Sequence, residues 1–465
     1  MKDNFIISLL NSISFFPFVL LIFCGIFLSV KGRFFQLRLL PRSARLMKKA
    51  FKESKKSQGV TSFKAACTSL SAAVGTGNIA GVAAAISIGG AGAIFWMWVS
   101  AILGMAIKAA EITLGISYRK NISGNFYGGP MYYIKYGLPK FFKPLAFLFA
   151  LVGIPAVFCT GNITQTNAAV ISVTDNRTIR LILGLIFAFL TYISVSGGIN
   201  RIARVTEKIV PLMSVLYIII CLIVIILNID FLPQAFKMII VGAFKPVAVT
   251  SGAVGSFFTT ALIGAGRGIF SNEAGIGTGA IAHSTAVDAK EQNQGLFGIF
   301  EVFVDTLLIC TLTAVTILCS KTPIKYGTVA TSKLASAAIS GVFGKTSDII
   351  ISLMLCLFAF SSIIGWAAYG GIFSHFLKGD ILKKIFEMIY PLFCIIGAVA
   401  DVGLVWKLSD FFSGIMLCIN LPFIIMLSDK ALKYFKKEEM RNVQKTNRKN
   451  SRNVRNRRSR HYFGW

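Results

Sequence analysis

The sequence predicts an all-α polytopic membrane protein of about eleven transmembrane helices, one extra helix at the N-terminus followed by two inverted repeats of five. Three observations carry that expectation. Of 465 residues, 55% are hydrophobic and 14% charged, and the mean hydropathy is +0.71; soluble domains carry about 25% charged residues. Uncharged apolar runs of roughly 20 residues, the length a helix needs to cross the hydrocarbon core, recur along the chain. Two of those runs are interrupted by glycines and polar side chains, and they stand at matching places. The first two observations already argue against a soluble enzyme.

The runs fall at 5–30, 65–88, 92–118, 142–172, 179–196, 208–229, 249–283, 295–320, 347–377, 385–406 and 409–428. Residues 1–30 make the extra helix: a short polar start, a long apolar stretch and no small-residue cleavage signal predict a retained span rather than a cleaved signal peptide. Residues 31–64 hold eleven basic side chains, among them Lys31, Arg33, Arg45, Lys48, Lys49 and Lys56, against the single acid Glu53. Basic residues beside spans mark cytoplasmic loops, so the N-terminus is expected outside. Residues 65–229 form the first repeat, 230–248 an extracellular loop and 249–428 the second repeat, and an odd number of crossings leaves the tail, 429–465, inside. The tail carries thirteen more basic residues, including Lys436, Lys437, Arg455, Arg457, Arg458 and Arg460. Shorter loops agree, with Arg119, Lys120, Lys135, Lys140, Arg201, Arg204 and Lys208 on the inner side.

A formal net charge of +29 can mark nucleic-acid binding, but here the excess sits beside spans, which points to anionic lipid at the basic loop and tail. The nine cysteines lie inside or at the edge of apolar runs with no C-x-x-C spacing, and predict buried hydrophobes rather than disulfides or zinc ligands. The three histidines form no metal pattern. There is also no phosphate loop and no nucleophile with a base at usable spacing, so no enzyme, organic cofactor or obligate protein partner is expected.

The two interrupted runs read SAAVGTGNIAG at 71–81 and GIFSNEAGIGTG at 268–279. In lipid, irregular backbone is tolerated only where it lines a cavity. Each run opens one set of five spans, the pattern of an inverted-repeat secondary transporter with a site at the bilayer midplane. A zwitterionic amino acid needs partners for both its charges there. Where a helix unwinds, the N-terminal end of its second half offers free N–H groups and a partial positive charge, which suit a carboxylate; Thr76, Gly77 and Asn78 stand at that point. The carbonyl end of the preceding half suits an ammonium or a bare cation, and Ser271, Asn272 and Gly275 mark the second break.

The segment AVGTGNIAGVAAAISIGGAGAIFWMWVSAILGMAIKAAE, with YGGPMYYI at 127–134, GNITQTN at 161–167, GGINRIARVTEKIVP at 197–211, GIFSNEAGIGTGAIAH at 268–283, DTLLICT at 305–311 and FAFSSIIGW at 358–366, resembles the alanine or glycine:cation symporters, also called the sodium:alanine symporter family. These motifs cover the chain from about residue 35 to 428. The resemblance implies a LeuT-type fold and, as function, sodium-coupled uptake of a small neutral amino acid, alanine or glycine, across a bacterial inner membrane. It also implies a sodium site made by the carbonyls of Ser71, Val74 and Phe358 with the hydroxyls of Ser361 and Ser362, a set of hard oxygens without net charge; serines in such helices also bond their own backbone.

Gln165 and Asn167 are amides at membrane depth and are expected to face the cavity, Gln165 as a substrate contact or as an interhelical bond. Trp366, one turn beyond Ser362, is a candidate pocket wall or a packing residue. Glu273 is either structural, accepting backbone N–H groups from the other broken helix, or a proton carrier, which would make the coupling ion a proton. Glu111 and Asp305 are expected to cap or brace helices, and His283 to meet a helix C-terminus.

Overall fold

The computed structural model describes residues 2–54, 59–246, 256–328 and 332–435, with side chains from Phe16 onward except that of Val402. Lys56, most of the basic tail, including Lys436, Lys437 and the arginines 455–460, and the opening of the run at 249 lie outside the described residues.

Helix α1 (Lys2–Lys31) is followed by α2 (Phe35–Ser54), in a stretch whose charge predicts a loop. The two axes differ by 82° between Phe16–Lys31 and Phe35–Ser54. Charge hid α2: its buried face is Phe35, Gln36, Leu39, Ser43 and Met47, at helical spacing, while Arg38, Arg45, Lys48, Lys49 and Lys52 are exposed, the make-up of a helix lying along a membrane surface.

The first interrupted run is α3 (Ser62–Ala73), a 3₁₀ turn at Thr76–Asn78 and α4 (Ala80–Gly89). Then come α5 (Ala93–Ser117), a hairpin of β1 (Lys120–Ile122) and β2 (Asn125–Tyr127), and α6 (Pro130–Gly137). Helix α7 (Lys143–Phe158) passes through a π-helical turn, Cys159–Ile163, into α8 (Thr164–Val173), and α9 (Arg177–Val195) and α10 (Gly198–Leu227) come next. Helix α10 begins ten residues before the predicted 208, because GGINRIARVTEK continues the helical periodicity past its charges. The expected loop at 230–248 contains α11 (Leu232–Phe244).

The second interrupted run is α12 (Phe257–Asn272) and α13 (Thr278–Ser284). Helix α14 (Glu291–Val302) continues through a π-helical stretch, Phe303–Cys310, into α15 (Thr311–Cys319), and α16 (Ser332–Phe343) lies between the apolar runs that end at 320 and begin at 347. Helix α17 (Ser347–Ile389) is interrupted at Lys378 and Gly379, where the backbone leaves helical geometry. Helices α18 (Phe393–Val399) and α19 (Val402–Met426) complete the bundle. Asp401 caps α19 by accepting from Leu404 N at 3.0 Å, so the last boundary falls at 400–401 and not after 406.

Among the described residues, seven helical stretches are long and apolar enough to cross a membrane, or eight with the bent pair α1–α2. Eleven runs exceed that number because each break divides a run into pieces too short to pass, and because Ser332–Val399 counts as one stretch while holding two runs. The exterior is apolar: Leu185, Phe189, Leu212 and Ile226 are exposed. The interior holds Lys108, Glu111 and Asp305 at 0% exposure and Glu273 at 2%. A protein with greasy outside and charged inside has lipid for its solvent.

Candidate functional site

Both interrupted runs break at the centre of this bundle. In the first, α3 ends at Val74 (φ −77°, ψ 92°) and Gly75 is extended, so the ladder stops and restarts at Ile79. A side chain at Gly75 would collide with Ser362 Oγ. The loosened amides are taken up by neutral side chains: Gly75 N donates to Asn78 Oδ1 at 2.9 Å, and Thr76 donates to Gln165 Oε1 from both N (3.1 Å) and Oγ1 (2.9 Å). Gln165 therefore makes the interhelical bond, its amide nitrogen reaching Thr160 O at 3.3 Å.

On the other side of the same break, Ser362 Oγ donates to Ser71 O at 3.0 Å and to Val74 O at 3.4 Å. Ser361 Oγ, on the same helix, is buried and has no hydrogen-bond partner, and Phe358 lies one turn earlier, also buried. Three residues of the expected cation set, Ser71, Val74 and Ser362, thus meet at one place, and the hydroxyl of Ser361, a fourth, is unused.

In the second break, Glu273 (φ 55°), Gly275 (φ 86°) and Gly277 (φ 95°) all adopt left-handed backbone. Glycine bears that geometry without strain; Glu273 does not. The side chains of Ser271 and Asn272 are engaged within the protein. Ser271 Oγ donates to Asp305 Oδ2 at 2.7 Å, and Asn272 holds Ala274 N (3.0 Å) and Thr306 Oγ1 (3.2 Å). Asp305 also accepts from Asn78 Nδ2 at 2.7 Å, so it braces the two breaks against each other. Gly77 faces the ring of Phe270.

Glu273 differs from its expected role. Its carboxylate accepts from Thr278 Oγ1 at 2.6 Å, within its own run, and the indole of Trp366 points towards it. The acid that takes a backbone N–H is Glu111, from Gly275 at 3.2 Å. Asn420, bonded to Tyr133, holds the carbonyl of Gly275 at 2.9 Å. Trp366, 1% exposed, packs on Gly161 in the first π turn and edge-on to Tyr369.

A further expectation is corrected. Asn167 does not face the breaks; its Nδ2 donates to the carbonyls of Gly397 (2.9 Å) and Ala400 (3.0 Å) and ties α8 to the end of α18. His283 lies in the last turn of α13 and does more there than meet the helix end: fully buried, it bonds Glu301 at 2.5 Å and Gln294 at 2.7 Å, and Glu301 accepts from Ser69 Oγ at 2.8 Å. This clasp joins α3, α13 and α14 beneath the breaks.

Lys108 is a site residue that the sequence motifs did not single out. Its ammonium, fully buried, donates to Asn272 O at 3.1 Å. The signal was a Lys and a Glu at i and i+3 inside an otherwise uncharged run, KAAE, which puts both on one helical face. Among the described residues no group of His, Cys, Asp and Glu is arranged to hold a metal.

A model of the sodium:alanine symporter family matches residues 3–453. A sodium/alanine symporter, AgcS, of Methanococcus maripaludis is 36% identical, over 94% of this chain and 99% of its own. A probable sodium/glutamine symporter, GlnT, of Bacillus subtilis is 36% identical over 88% of this chain and 85% of its own. Among solved structures, MhsT in complex with L-phenylalanine superposes with a TM-score of 0.57 at 14% identity, over 82% of this chain and 98% of that one; at that identity it speaks for the LeuT-type fold alone. With helices, breaks and relatives in agreement, the chain belongs to the sodium:alanine symporter family and is a multi-pass membrane transporter, not an enzyme.

Proposed function

We propose that this protein couples sodium entry to uptake of a small neutral amino acid, alanine or glycine, by alternating access across the cell membrane. What supports this most directly is the first break: the carbonyls of Ser71 and Val74 converge on Ser362 Oγ, with the unpartnered Ser361 hydroxyl on the same helix. Neutral oxygens of that kind suit a sodium ion, while the turn at Thr76, Gly77 and Asn78, at the head of α4, suits a carboxylate, which would take Thr76 N in exchange for Gln165. Trp366 and Phe270 limit the room for a side chain. Sodium held between α3 and α17 favours the closed site, the amino acid favours the same state, and that shared preference is the coupling. The N-terminus lies outside and the basic helix α2 inside, against anionic lipid.

Labelled alanine in proteoliposomes should accumulate when a sodium gradient is imposed and stop when choline replaces sodium. Uptake that tracks a pH gradient without sodium would make the coupling ion a proton. Saturable binding with no flux would mean a sensor, and flux that neither saturates nor accumulates would mean a channel.

A further inference from the structure

In the transport reading, sodium and substrate use the first break; at the second, the buried acids take hydrogen bonds from the protein, and the buried cation among them is without a task in that reading. Lys108 is the one cation among them. Its side chain threads between two glycines: a Cβ on Gly279 of α13 would stand 2.6 Å from Lys108 Cε and 3.0 Å from Nζ, and one on Gly298 of α14 would stand 3.1 Å from Cγ. The same point at Gly279 is 3.2 Å from Glu111 Oε1, a buried carboxylate oxygen with no hydrogen-bond partner. Charges facing the ammonium are Glu111 on its own helix, Glu273 at the break and Asp305 on the π-helical stretch. His283 and Glu301 satisfy each other further along.

A fully buried ammonium is costly unless oxygens replace its water. Here the one oxygen in hydrogen-bond reach is a helix-terminal carbonyl, Asn272 O at 3.1 Å, the kind of ligand a bare metal cation also accepts, and the acids act on the ammonium through space. Two facing elements give up their side chains to admit it.

We propose that Lys108 is a resident cation: a positioning residue whose ammonium does permanently at the second break what a transported ion does transiently at the first. It binds the carbonyl end of α12 and offsets the acids around the turn Glu273–Gly277, so that this turn keeps its shape while the first break opens and closes. Because the cation is tethered, it contributes charge without being carried, and transport depends on the ammonium itself and not only on charge balance with Glu111. The inference rests on the transport reading above. Wild-type protein that moves no alanine fails that reading, whereas wild-type uptake that survives loss of Lys108 fails this one alone.

The test compares labelled-alanine uptake and thermal unfolding of wild type, Lys108→Gln, Lys108→Gln with Glu111→Gln, and Lys108→Ala with and without ethylammonium. Lys108→Gln should lower uptake by about tenfold or more and lower the unfolding temperature. The double variant, which removes both charges, should regain the unfolding temperature but not the uptake. Ethylammonium should restore part of the uptake to Lys108→Ala and none to Lys108→Gln, where the amide fills the place. Uptake restored in the double variant, or Lys108→Gln transporting like wild type, overturns the proposal. If the Lys108 variants do not fold, Gly279→Ala keeps the lysine but displaces its ammonium; it should lose uptake, and wild-type uptake in it overturns the proposal too.

Discussion

The two breaks occupy corresponding places in the fold but are held by different chemistry. The first has no left-handed residue and is closed mainly by amides and hydroxyls, Gln165 on Thr76, Asn78 on Gly75, Ser362 on Ser71 and Val74, with a single carboxylate bond, from Asn78 to Asp305. The second needs left-handed backbone at Glu273, Gly275 and Gly277, and around it stand Lys108, Glu111 and Glu273 itself. The fold repeats the topology and not the bonding. Neutral hydrogen bonds contribute about 0.5–1.5 kcal/mol each and exchange partners at little cost. A buried charge that loses its partner costs far more. The first break is therefore suited to move, and the second to stay set.

That contrast predicts a descending series. Glu111→Ala strips the acceptor from Gly275 N and leaves Lys108 under-compensated, and should destabilise the protein by about 3–5 kcal/mol, read as a fall in the unfolding midpoint in detergent; a change no larger than that of a surface mutant would end the distinction. Gln165→Ala unpairs Thr76 N and Oγ1 at the first break and should cost about 1–3 kcal/mol while raising the alanine concentration for half-maximal uptake. An effect equal to that of Glu111→Ala would show the two breaks equally firm. Ser361→Ala with Ser362→Ala should change stability least, by about 1 kcal/mol, but raise the sodium concentration for half-maximal uptake several-fold. Unchanged sodium dependence would remove both serines from the cation site.

Legibility in the sequence divides along the same line. The breaks could be read because glycine, Asn78, Asn272 and Glu273 have no business at membrane depth unless backbone is loose there. Ser71, Val74 and Ser362, named on family resemblance, are joined by the hydrogen bonds of the Ser362 hydroxyl. Spacing along one helix does not say what a side chain meets across the bundle. Asn167 and Gln165 sit two apart on α8, yet one ties down α18 and the other the first break. The partners of Glu111, Glu273 and His283 come from other helices or from across a turn, so their acceptor roles were not readable. Helices α2, α11 and α16 were hidden for another reason: they are too polar or too short to register as spans, though periodic enough to fold.

The wide turns at Cys159–Ile163 and Phe303–Cys310 set the angular phase of the helices that continue from them. A π turn accommodates one residue more than an α turn, so removing a single residue from it would rotate the rest of that helix by about 100°. Gln165 comes just after the first wide turn and Asp305 lies within the second; Gln165 reaches across to Thr76, and Asp305 is among the side chains that reach Asn78. A one-residue deletion ahead of either side chain would leave hydropathy and helix length almost untouched, yet point a polar group away from its partner, so these turns tolerate a change of sequence better than a change of length.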